Sequence, residues 1–366
     1  MTQNPSAAPL DGNAIVYCEG AFNTPNGKTA HGLVRFTHRY RVLSVIDARY
    51  AGKDAGKVLD GHPNGIAVFD QLESAVKAAR GQNTPPTHFV IGLAPDGGRL
   101  NPQAREAVKQ AITLGMNVDC GLHDYLSEDP AIAELAQAHN VNIRDVRKPP
   151  AREKLHFFEG KIEQVNCLKI ALLGTDSAVG KRTTAWILVH GLQQAGYRAE
   201  MVGTGQTAWM QGAKHGIVLD SLINDFLSGE IEHAVWSAWQ DGKPDVIVIE
   251  GQGSLMNPAY PGGFEILAAG RPDIIIMQHA PARLEYDGFP GYPLHPLSLQ
   301  IQVAEQLSGK PVAAVTVNHE AMPREQVPMV CDTIHKITGR PTFDVLRDGP
   351  EGLVEALKRY IKPVKR

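Results

Sequence analysis

One short stretch of this 366-residue chain has the residue types and spacing to hold an anion. Gly174-Thr175-Asp176-Ser177-Ala178-Val179-Gly180-Lys181-Arg182-Thr183-Thr184 follows an apolar run and leads into a helical pattern over 185–194. Strand, small-residue loop and helix is the order a phosphate-binding loop requires. Small residues let phosphate oxygens reach the backbone N–H groups, the helix N-terminus faces the anion, and a lysine supplies a point charge. Gly174, Thr175, Ser177, Gly180, Lys181, Arg182, Thr183 and Thr184 are therefore the expected phosphate contacts. Two positions depart from G-x-x-x-x-G-K-[ST]. The first glycine falls one residue early, so that Thr175 takes its formal place, and Arg182 stands where a hydroxyl would hold magnesium. Thr183 and Thr184 offer hydroxyls only from shifted positions. Arginine donates to phosphate but cannot ligate a cation. The loop thus suits phosphate bound without tightly held magnesium, and no metal-ligand set is expected.

A second group of residues could do acid–base work. The run 245–250 ends in Glu250-Gly251-Gln252-Gly253, which puts a carboxylate at the tip of a buried strand. Ligands of open α/β sheets bind outside those carboxyl ends. If the strands over 168–173 and 245–250 are neighbours, Glu250 faces the phosphate loop, where it could hold a metal-bound water or accept a proton. Asp176 is a second acid at the same point, and His279 follows another strand-like run. Arg283 lies close by, a candidate for a substrate carboxylate, ahead of the Gly/Pro-rich segment 285–296. Asn318 ends a further apolar run, where an amide could meet a purine base. The loop 20–35 could line a site of its own or be an ordinary Gly-rich turn.

These residues need a scaffold of alternating strands and helices. Strand-like runs fall at 14–18, 41–47, 87–93, 116–120 and 141–145, with helical patterns at 101–114 and 130–139. Asn101 followed by Pro102 marks a helix start. A second series has strands at 168–173, 199–203, 245–250, 274–278 and 312–317 and a last helix at 352–361. Such alternation implies parallel sheets covered by helices. The expected architecture is α/β, two tandem doubly wound domains. They comprise a Rossmann-like domain over 13–146, a linker over 147–165 marked by Lys148-Pro149-Pro150, and a P-loop NTPase-like domain over 166–366.

Composition narrows the partners. With 36 Lys plus Arg against 39 Asp plus Glu, the net charge of −3 gives no basic face for nucleic acid. No apolar run is long enough to span a membrane, and the polar stretch 1–9 has no leader pattern. Cys18, Cys120, Cys167 and Cys331 form no CxxC pair, which fits a reducing cytoplasm and core packing. A small-molecule ligand, a cytoplasmic location and a homo-oligomer are expected.

The loop resembles that of dethiobiotin synthetase and its relatives, which share a G-T-D-x-x-V-G-K pattern. Glu250-Gly251-Gln252-Gly253 is similar to the E-G-x-G segment of that class, where the acid serves the metal or substrate end. Those relatives carry Thr where Arg182 stands. A resemblance over nearly the whole chain rests on AFNTPNGKTAHG at 21–32, VIDARYAGKDAG at 45–56, GTDSAVGKRTT and EGQGSL. These look like a family long catalogued without a function, which pairs a Rossmann-like domain with a P-loop domain and includes D-glutamate N-acetyltransferases. The resemblance implies transfer of an acetyl group from acetyl-CoA to the amine of an amino acid, D-glutamate first, in D-amino-acid catabolism. Lys181, Arg182 and the loop amides would hold the CoA phosphates. Glu250, His279 or Asp176 would take the proton, and Arg283 would meet the substrate carboxylate. A ligase or kinase using ATP and Mg is the alternative enzyme, and a non-catalytic nucleotide-binding regulator is the third reading.

Overall fold

The computed structural model describes residues 10–362. The stretch 1–9, in which no leader pattern was found, and the last four residues of the expected C-terminal domain lie outside them. The chain is an α/β protein with two parallel sheets, one in each of two compact units. One unit holds the residues up to Pro149 together with Gln206–Gly212, and the other holds the remaining described residues from Pro150 on.

The first unit has six strands: β1 (Gly12–Tyr17), β2 (Tyr40–Ile46), β3 (Ala67–Phe69), β4 (His88–Ile91), β5 (Asn117–Cys120) and β6 (Ile143–Asp145). Their order is β3-β2-β1-β4-β5-β6, the Rossmann order. Central strands buried on both faces need continuous apolar runs, and β4 is buried at all four residues. The helix Pro102–Thr113 begins as its sequence requires, with the Asn101 side chain accepting from Ala104 N at 2.7 Å. The segment Gln206–Gly212 packs within this unit. Thr207 Oγ1 bonds Thr29 Oγ1 at 2.8 Å, and the Arg39 guanidinium lies 3.7 Å from the centre of the Trp209 ring.

The second unit has seven strands: β7 (Leu168–Gly174), β8 (Ala199–Gly203), β9 (His215–Gly216), β10 (Val246–Glu250), β11 (Ile274–His279), β12 (Val312–Val317) and β13 (Thr342–Phe343). The order is β13-β12-β11-β7-β10-β8-β9, all parallel. After β10, on one side of β7, the chain crosses to β11 on the other. The end of β7 is therefore a topological switch point, where loops part and leave a crevice. The two-residue β9 and β13 at the sheet edges and the three-residue β3 carry no periodic signal and were not expected from sequence. The expected last helix is Glu351–Leu357 followed by a 3-10 turn, Lys358–Tyr360. Among the described residues no helix is long and apolar enough to cross a membrane. The four cysteines are free, and burial pushes the Cys120 and Cys167 thiols up to about 12, which leaves them inert.

Close approach in the first unit depends on Gly92, just beyond β4. A Cβ there would lie 2.7 Å from Val16 Cγ1 and 2.8 Å from Ala30 Cβ. Gly92→Ala is expected to destabilise the protein by about 1–3 kcal/mol through overpacking. Urea unfolding measures this, and an unchanged midpoint would mean that these neighbours yield freely.

Candidate functional site

The strand β7 ends at Gly174, and the helix Lys181–Gln194 begins at once after Gly180. It starts four residues earlier than the apolar periodicity indicates, because the loop itself delivers the chain into the first turn. Left-handed backbone at Ala178 (φ 51°) and Gly180 (φ 101°) bends the loop, as in the anion-binding concavities formed by successive N–H groups. Alanine in that conformation costs roughly 1–2 kcal/mol, a strain typical of ligand sites.

Lys181 is buried, and its stem runs between two glycines. A Cβ on Gly174 would lie 2.9 Å from Lys181 Cδ. One on Gly251 would lie 3.1 Å from the same atom and 2.3 Å from the Leu172 carbonyl. The ammonium donates to the carbonyl oxygens of Asp176 and Gly253, both at 2.7 Å. The glycines of the two motifs thus make room for the lysine stem.

Asp176 is fully buried at the centre of the site. Its Oδ1 accepts from Ser177 N (2.6 Å) and Asn257 Nδ2 (2.8 Å). Its Oδ2 accepts from Arg283 Nη1 and Asp287 N, each at 2.8 Å. Asn257 is itself pinned, with Oδ1 accepting from Ala259 N and Tyr260 N. Four donors from three segments leave this carboxylate no lone pair aimed at a metal or a substrate proton. It acts as a brace.

Arg283 completes the brace. Its guanidinium also donates to the Ser177 carbonyl at 2.7 Å and to Glu320 Oε1 from Nε and Nη2, at 2.9 and 2.5 Å. Burial works against its charge, but the bond to Asp176 and the Glu320 carboxylate hold its proton more firmly than usual. The geometry therefore favours a loop-bracing role over the expected contact with a substrate carboxylate.

Glu250 and His279 flank the loop from opposite sides. β10 pairs with β7, Glu250 opposite Leu172, so the neighbour relation that the sequence reading required is present. Glu250 Oε2 accepts from Thr204 N at 2.9 Å. Burial raises its pKa, against the charges of Arg182 and Lys181 and the amides of Thr204 and Gly205. His279 ends β11, with Nδ1 at 3.0 Å from Thr175 Oγ1. Burial, then the charge of Arg283, lowers its pKa to about 4. The carboxylate is a stronger base than usual and the imidazole a weaker one.

The remaining expected contacts divide. Thr184 turns inward, donating to Gln278 Oε1 at 2.6 Å, as does Thr316. Ser177 on the loop and Thr183 in the first turn of the helix are half-buried. Asn318 lies beside Gly180, where a Cβ would be 3.9 Å from its Nδ2, and its amide bonds Glu320. Thr204, Asn257, Gln278, the Asp287 N–H and Glu320 were not expected from sequence. Each acts through a partner 37 to 111 residues away, as the Glu320–Arg283, Thr204–Glu250, Gln278–Thr184 and Asp287–Asp176 bonds illustrate.

Fold and loop together define a P-loop α/β protein that also carries a Rossmann-like domain. The chain belongs to the DUF1611 family. Residues 156–354 match the model described as "Domain of unknown function (DUF1611_C) P-loop domain", and residues 48–149 match its Rossmann-like partner, DUF1611_N. The chain is 30% identical over 279 residues to a protein of Pseudoalteromonas sp. named D-glutamate N-acetyltransferase, covering 74% of this chain and 80% of that one. A protein of the same name from Tritonibacter scottomollicae is 30% identical over 276 residues, with the same shares. The crystal structure of a DUF1611 family protein from Anabaena variabilis is similar with a TM-score of 0.86 at 26% identity, over 95% of this chain and 99% of that one.

The brace and the imidazole each give a measurable outcome. Arg283→Ala strips a buried carboxylate of its cation and is expected to cost about 3–5 kcal/mol in urea unfolding. Arg283→Lys should restore only part, because one ammonium cannot span two carboxylates and a carbonyl. For His279 the folded pKa of about 4 lies below the ordinary 6.5. The unfolded chain therefore binds more protons between those values. Its contribution to stability is complete above pH 6.5 and is lost as pH falls towards 4. His279→Asn should flatten that part of the stability–pH curve. An identical slope in the variant would assign the loss to other groups.

Proposed function

We propose that this protein is an N-acyltransferase that moves an acetyl group from acetyl-CoA to the amine of an amino acid, with D-glutamate the first acceptor to test. Its place would be in D-amino-acid breakdown. The relatives' names support the reaction. The observation that carries the reading is the loop itself. Arg182 follows Lys181, Thr184 is turned to Gln278, and both oxygens of Asp176 are taken by N–H donors. Phosphate can be held there by Lys181 and the loop amides, while Arg182 stands where the usual hydroxyl would hold a nucleotide's magnesium. Coenzyme A is a phosphate-bearing ligand whose acyl transfer needs no magnesium.

In the reaction the amine nitrogen attacks the thioester carbon, the carbon–sulfur bond breaks, and the departing thiolate takes a proton. An amino-acid ammonium is protonated at pH 7, so a base is required. We assign that role to Glu250, since Asp176 is saturated by donors and His279 is a weak base. N–H groups of Gly251–Gly253 or of the phosphate loop are the donors at hand for the oxyanion.

Calorimetric titration with acetyl-CoA and with ATP plus magnesium, paired with thiol release on adding D-glutamate, tests the reading. Acetyl-CoA binding that Lys181→Ala abolishes is the expected result. Glu250→Gln should keep that binding and lower kcat by roughly 10²–10⁴-fold. Binding of magnesium–ATP without any response to acetyl-CoA would move the protein to the ligase or regulator class.

A further inference from the structure

The second unit has a cleft of about 340 Å³ lined by two segments, one with Met256 and Pro258 and the other with Tyr286, Leu294 and His295. Both segments hang from Asp176. Asn257, between Met256 and Pro258, donates to its Oδ1, and Asp287, next to Tyr286, donates to its Oδ2. The cleft is thus fixed against the loop through the two oxygens of one buried side chain.

Its chemistry is selective. Among the described residues that line it there is no lysine or arginine, and three prolines, Met256 and Leu294 are five of the eight. A dicarboxylate would meet no fixed cation there. The cleft's polar side chains are Tyr292, which is exposed, and the pair Tyr286 and His295, with the Tyr286 hydroxyl 2.7 Å from His295 Nδ1. An uncharged chain with scattered amide groups suits such a surface: it buries methylenes and satisfies one or two polar atoms.

Resting on the acyltransferase reading, we propose that this cleft seats the pantetheine arm of the acyl-CoA donor. The arm separates the diphosphate from the thioester by two amide units. Fully extended, it would carry the thioester away from the loop and from Glu250. Folded into a cleft braced on Asp176, it keeps the acyl carbon near the loop that holds the phosphates. The Tyr286–His295 pair offers the arm its hydrogen bonds.

The test compares two probes on the full chain by calorimetry: acetyl-CoA, and 3′-phosphoadenosine 5′-diphosphate, which keeps the phosphates and lacks the arm. Leu294→Trp fills the cleft, and Tyr292→Ala removes an exposed lining side chain with little risk to folding. Leu294→Trp should weaken acetyl-CoA at least tenfold and leave the fragment within twofold of wild type. Tyr292→Ala should show the same pattern at smaller size, and it carries the test should the tryptophan variant misfold. Variants that bind acetyl-CoA as wild type does, or that lose both probes equally while melting normally, overturn the cleft assignment and leave the loop reading standing. Wild-type protein that binds the fragment through Lys181 but gains nothing from the arm also overturns the cleft alone. No binding of either probe by wild type overturns both.

Discussion

The geometry of the site depends on where the Asp176 carboxylate goes. A carboxylate removed from water needs donors at both oxygens, and an unpaired one would be too costly to keep charged. Here the donors come from the loop itself, from the segment after β10 and from the segment after β11. One side chain therefore ties three loops together. The arrangement is cooperative: Asn257 orders residues 259 and 260, while Arg283 carries the bracing on to Glu320. Loops on parallel sheets have no ladder to hold them, and a shared buried charge replaces it. The positions of Gly253 and of the Lys181 ammonium follow from that brace.

How much of this could be read in the sequence depends on the range of the interactions. Strands such as Leu168–Gly174 and Val246–Glu250 are buried at every residue, so their apolar runs announce them. Short edge strands such as His215–Gly216 have too few residues to show any period. The phosphate loop was legible because its glycines, lysine and flanking elements are contiguous. The role of Asp176 was not, since its partners stand at 257, 283 and 287, and nothing local tells a brace from a base. Arg283 illustrates the same limit. Its position near the site was legible, while its engagement by two carboxylates depends on a fold-level meeting with Glu320.

The first sheet shows why fold order alone does not give a ligand. Its strand order is that of dinucleotide-binding domains, and Asp47 follows β2 where such domains use an acid for the ribose. Yet Asp47 Oδ2 accepts from Phe22 N at 2.9 Å, and both of its oxygens are bonded by Arg49. In the helix Lys28–Arg35, Ala30 N donates to the Gly92 carbonyl at 3.0 Å, so an amide of the first turn is spent on β4. The chain's own atoms engage the acid and one of the amides that a dinucleotide would use. Function must be argued from such sites rather than from topology.

The cations around the loop differ in the groups that already engage them. Arg283 already faces carboxylates, so exchanging one of them for a phosphate returns an interaction of the same kind and leaves a buried carboxylate behind. Lys181 donates to two carbonyl oxygens, and its charge also acts on the Glu250 carboxylate. Replacing a carbonyl by a phosphate oxygen turns a neutral acceptor into an ionised one, and hydrogen bonds between ionised partners are roughly twice as strong. The released carbonyls belong to Asp176 and Gly253, on loops that the Asp176 brace holds in place whether or not the lysine lets go.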